Sequence, residues 1–142
     1  MTLVSGPTSD KFVYFSEKMD WPHAKAHCES EGMWLATLDN EADLIEARRV
    51  IGEARLEELV LDYETQTWIG LYAKEAMDAS RTWHWVEDDS FNGFTNWWQG
   101  NAFEGPEPNN CWRGELHPGT GCIRGMPNEQ CTEMSLEGTW ND

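Results

Sequence analysis

Apolar and polar positions change their spacing near the middle of this chain. Residues 12–16, FVYFS, are aromatic or β-branched in succession and predict a short strand. Asp20 then stands where it can cap a helix running through WPHAKAHCESEG, with Pro22 in the first turn and Gly32 just past the end. A second helix is expected from about Asn40 through NEADLIEARRVIGEARLEEL, because Leu44, Ala47 and Ile51 recur at helical spacing. It either continues past Gly52 to Leu59 or breaks there.

After residue 65 the period shortens. TWIGL (67–71) reads as a buried strand, and TWHWV (82–86) alternates Trp83 and Trp85 with His84, as a half-buried strand does. From Glu87 to Asn128 the chain is mostly Gly, Pro, Asn, Asp and Trp, a loop region far longer than the usual connection of about 4–6 residues. The aromatics spread between Trp83 and Trp112 argue that this region is ordered. EQCTEMS (129–135) and EGTWND (137–142) are two further short strands. The pattern is α+β, with helices early, strands late and a large ordered loop between them.

Composition narrows the partners. The chain has 142 residues, 39% apolar and 12% aromatic, enough for one domain with a modest core. Ten Lys plus Arg stand against 26 Asp plus Glu, a net 10 − 26 = −16. Nucleic acid needs clustered cations, and an anionic bilayer repels such a charge, so neither is an expected partner. The carboxylates suit a metal cation or simply solubility. No run reaches the ~20 apolar residues of a membrane span, so membrane insertion is not expected. MTLVSGPTSD has no basic start followed by an apolar stretch, so either the chain is intracellular or a leader has been removed.

Cysteine favours secretion. The four, at 28, 111, 122 and 131, allow three pairings, and no CxxC pair suggests zinc. Cys111 and Cys122 bracket the Gly- and Pro-rich WRGELHPGTG, a loop that a disulfide would staple with roughly 2–3 kcal/mol.

Five short patterns now line up. WIGL at 68–71, FTNW at 94–97, EPN at 107–109, EQCTEM at 129–134 and WND at 140–142 occur in the order and with gaps resembling those of the C-type lectin domain. The resemblance covers residues 12–142 and leaves 1–11 as an N-terminal extension. It implies a fold of two helices on small antiparallel sheets with a long ordered loop region. Cys28 resembles the family's first cysteine. The family's two usual disulfides would join Cys28 and Cys131 to cysteines beyond Trp-Asn-Asp, so a terminal strand and both partners are expected to be missing here. Two other departures, the stretch QGNAFEGP before EPN and the insert holding Cys111 and Cys122, flank the family's ligand region.

The same resemblance implies one bound Ca2+ held by Glu107, Asn109, Glu129, Asn141 and Asp142. These offer three carboxylates and two amide oxygens, the hard donors that calcium takes six to eight at a time. In the family a cis peptide precedes the proline, here Pro108, and turns the flanking side chains toward one point. The same residues would bind sugar: Asn109 and Asn141 can donate N–H to a sugar oxygen, while Glu107 and Glu129 accept hydroxyl protons. Glu-Pro-Asn goes with equatorial 3- and 4-hydroxyls, implying glycans of mannose, fucose, glucose or N-acetylglucosamine; Gln-Pro-Asp goes with galactose. Weak single-site affinity would make oligomeric, multivalent binding useful. The alternative is the same fold binding protein or ice without sugar.

Other constellations are weaker. His23 and His27 are i, i+4 on the first helix but lack a third metal ligand and the Glu of HExxH. Glu107 and Glu129 could be pictured as a glycosidase pair, but bound calcium would keep both ionised and remove the acid. Binding rather than catalysis is expected. Gln130 stands where an accessory calcium site commonly has an acidic residue. Trp68, Trp83 and Trp85 are assigned to the core. Trp98, and Trp112 with Glu115 in the insert, lie where they can meet a sugar, although packing is the plainer role for the indoles.

Overall fold

In the computed structural model the described residues are 2–5, 11–58, 66–73, 82–100, 116–117, 121–122 and 131–141. Helix α1 spans Trp21–Ser30 and begins where the sequence places its cap. Asp20 has an extended backbone, and its carboxylate accepts the His23 backbone N–H at 3.0 Å. Gly32, at φ +73°, lets the chain leave the helix in the left-handed region. Ala24 and Cys28, one turn apart, form the buried face of α1 and pack with Leu35.

Helix α2 spans Glu41–Glu58, capped by Asn40, which accepts the Asp43 N–H at 2.9 Å. Leu44, Ala47 and Ile51 are buried as their spacing predicts. The helix passes Gly52 without a break. A glycine costs only about 1 kcal/mol in a helix interior, which the buried stripe of Leu44, Ala47 and Ile51 before it outweighs.

Among the described residues seven strands form one sheet. Strands β1 (Thr2–Ser5), β2 (Phe12–Phe15), β4 (Thr67–Ala73), β8 (Cys131–Met134) and β9 (Trp140–Asn141) lie in the order β2-β1-β4-β8-β9. Strand β3 (Trp34–Leu35) pairs with β1, and β5 (Trp83–Trp85) pairs with β4. All pairings are antiparallel except β1 with β4, where Thr2 lies beside Trp68. A second, two-stranded sheet joins β6 (Leu116–His117) to β7 (Gly121–Cys122). The architecture is α+β, as the alternation of patterns implied.

Three pieces were not evident in the sequence. Thr2–Ser5, within the stretch read as an extension, forms β1 and contacts both β2 and β4. Trp34–Leu35 is too short for any period to reveal. The β6–β7 hairpin lies inside the expected loop region; its strands of two residues carry no alternation.

Gly70 of the WIGL motif marks a close backbone approach. Its N–H donates to Ala36 O at 2.9 Å, and a Cβ there would stand 2.6 Å from Leu35 O. The main core lies between α2 and the sheet, around Leu38, Ile51, Ile69, Leu71, Trp85 and Trp140, all nearly inaccessible. Trp85 is core as expected, whereas Trp68 and Trp83 are half-buried at its margins.

Candidate functional site

Strands β8 and β9 form a hairpin whose turn runs from Ser135 to Thr139. Ser135 N–H donates to Thr139 O at 2.9 Å, and Gly138, at φ +89°, donates to Ser135 O at 3.0 Å. The register sets Met134 opposite Trp140 and Glu133 opposite Asn141. Side chains alternate across a strand, so Thr132, Met134 and Trp140 enter the core while Cys131, Glu133 and Asn141 are half-buried on the other face.

Trp140 fixes this hairpin. Its indole is fully buried and meets Trp85, Trp97 and Phe94 edge to face, with centroids 5.8, 5.7 and 6.0 Å away. Its backbone forms a parallel bridge with Trp97. Trp140 N–H donates to Asn96 O, and Trp98 N–H to Trp140 O, both at 2.9 Å. Asn96 Nδ2 also donates to Gly138 O at 2.7 Å. The FTNW motif is thereby laced to the Trp-Asn pair.

Asn141 is the one expected ligand among the described residues. Its Nδ2 donates to Glu133 Oε1 at 3.1 Å, and no described residue donates to its Oδ1. An amide oxygen is a donor of the kind calcium takes. Burial pushes the Glu133 carboxyl above its ordinary range, and the Asn141 hydrogen bond draws it partly back. Glu107, Asn109, Glu129 and Asp142 lie outside the described residues, as do Gln130, Trp112, Glu115 and Cys111. Glu129 precedes Cys131 of β8 by two positions, and Asp142 follows Asn141 directly.

Glu133 escaped the sequence reading, although it stands within EQCTEM. The register of the five-residue turn between β8 and β9 puts Glu133 across from Asn141, on the face opposite Met134. Among the described residues no three His, Cys, Asp or Glu side chains gather as a metal-binding group. His23 turns outward to Asp20, and His27 stands edge-on to Phe15 at 5.2 Å, so the two do not act as a pair. Trp98 is half-buried. Cys28 and Cys131 are free thiols, and burial pushes each up to about 11. Whether Cys122 is stapled to Cys111 lies outside the described residues; β7 does bring Cys122 back opposite Leu116. No described helix is long and apolar enough to cross a membrane.

Neither a scan of protein-family models nor a search of curated proteins finds a match. Solved structures do match. The carbohydrate-recognition domain of mouse scavenger receptor C-type lectin is 26% identical with a TM-score of 0.58, over 95% of this chain and 82% of that one. Its human counterpart is 24% identical with a TM-score of 0.55, over the same shares. The C-type carbohydrate-recognition domain of cow CD23, solved in the presence of a GlcNAc2Man3 oligosaccharide, is 20% identical with a TM-score of 0.54, over 87% of this chain and 69% of that one. The chain folds as a C-type lectin-like domain. In this C-type lectin-like domain the Trp97–Trp140 lacing holds together the two motifs, FTNW and WND, on which the resemblance rests.

Proposed function

We propose that this domain is a calcium-dependent lectin, secreted, that recognises glycans bearing mannose-type sugars through Glu107, Asn109, Glu129, Asn141 and Asp142. The observation that carries the reading is the place of Asn141: an amide on the hairpin that Trp140 anchors, half-buried beside the core, its nitrogen engaged by Glu133. Support also comes from the three carbohydrate-recognition domains of like fold.

In this reading the five side chains form one shell with two tasks. Their oxygens hold the cation, whose open positions accept two adjacent sugar hydroxyls. Around it, Asn109 and Asn141 donate N–H to sugar oxygens, while Glu107 and Glu129 accept hydroxyl protons. The order of donors and acceptors selects equatorial 3- and 4-hydroxyls. The domain acts by binding rather than turnover, and oligomers raise its avidity.

Retention on mannose-agarose in millimolar calcium, with release by EDTA, tests the proposal. Passage through the column in calcium would sink it and favour a protein- or ice-binding role.

A further inference from the structure

Glu133 is a charged side chain placed by strand register on the half-buried face of β8, across from Asn141. No described lysine or arginine pairs with it. Amides meet it instead. Asn141 Nδ2 donates to Oε1 at 3.1 Å. The Gln66 side-chain amide lies against the same carboxylate and, with its nitrogen turned inward, donates to both oxygens, including the Oε1 that accepts from Asn141.

We infer that Glu133 is a positioning residue for the calcium site: it fixes which end of the Asn141 amide faces β8 and so leaves the oxygen for the cation. This rests on the reading of Asn141 as a ligand given above. The two ends of an asparagine amide have nearly the same shape, so packing alone does not choose between them. A carboxylate does choose, because it accepts from N–H and repels C=O. The choice engages one hydrogen of Nδ2 and keeps the other for a sugar hydroxyl. It also polarises the amide, placing more negative charge on Oδ1. Because both residues sit on a hairpin anchored by Trp140, the orientation exists before ligand arrives and need not be set by it.

Calcium titration by calorimetry into wild type and Glu133→Gln tests the inference. Glutamine keeps the size of the side chain but can face either end of the Asn141 amide, so the choice is lost. Calcium binding should weaken about tenfold or more, the usual cost of removing a group that orients a metal ligand, with the unfolding temperature unchanged. Equal calcium affinity in the two proteins would overturn the inference. A wild type that takes up no calcium overturns the parent reading along with it, so the wild-type titration separates the two failures. Should the variant not fold, the metal-free wild type decides by its 1H–15N spectrum. One Asn141 side-chain N–H shifted well apart from its geminal partner supports the contact, and two ordinary signals overturn it.

Discussion

Trp97 and Trp140 meet twice: their backbones form a parallel bridge, and their rings stand edge to face with centroids 5.7 Å apart. The contact joins the segment that leads into the long loop to the strand that ends at Asn141. Trp97 is also packed on Trp83, at 4.8 Å. Trp97→Ala should therefore cost stability near the low end of the about 3–5 kcal/mol typical of tryptophan truncation, since Trp97 is only half-buried. It should also weaken mannose binding. Urea unfolding and the agarose column read the two effects. A variant as stable as wild type would show that the rings merely touch.

Gly138 is required by the β8–β9 turn for two reasons. Its φ of +89° disfavours any side chain, and a Cβ there would meet Arg48 Cδ of α2 at 2.6 Å. Gly138→Ala should destabilise by about 1–3 kcal/mol. Because the arginine stem can swing away, Arg48→Ala should restore little of this loss. Full restoration in the double variant would mean that the clash, not the backbone, sets the requirement.

The cap of α1 makes a specific pH signature. The His23 backbone N–H, and then its ring, hold the Asp20 carboxyl below its ordinary 3.8. A depressed carboxyl contributes stability that is complete above the unfolded value and is lost as pH falls through the folded one. Asp20→Ala should thus melt lower than wild type at pH 7. The gap should close as pH drops below about 4, the ordinary carboxylate value. A gap that stays constant down to pH 2 would assign the loss to something other than the charge.

The thiols of Cys28 and Cys131 should resist alkylation. Burial holds both near 11, so few thiolates exist at pH 8. For such a raised group the neutral form is favoured in the fold: its contribution is present below pH 9 and declines as pH climbs toward 11. Iodoacetamide should label Cys28 slowly in native buffer and quickly in urea. Cys28 lies at 0% exposure, so rapid native labelling would mean that α1 opens readily.

How much of this was legible beforehand depended on the length of each element. The two helices carry caps and several turns of period, and both Asp20 and Asn40 occupy the positions their residue types imply. β1 and β3 are recruited by pairing with strands far along the chain, information that no local window holds. At the site, motif order pointed to Asn141, but Glu133 became visible only through the hairpin register that sets the two side by side.

In the proposed site calcium and sugar share one shell of residues, Asn141 among them. Coupled equilibria make that sharing reciprocal: a sugar coordinated to the cation must tighten the cation in turn. The most direct measurement is calcium affinity by calorimetry, without and then with saturating methyl α-mannoside. The calcium Kd should be lower in the presence of the mannoside, with no such change with the galactoside. A calcium Kd that does not respond to mannoside would contradict the shared shell.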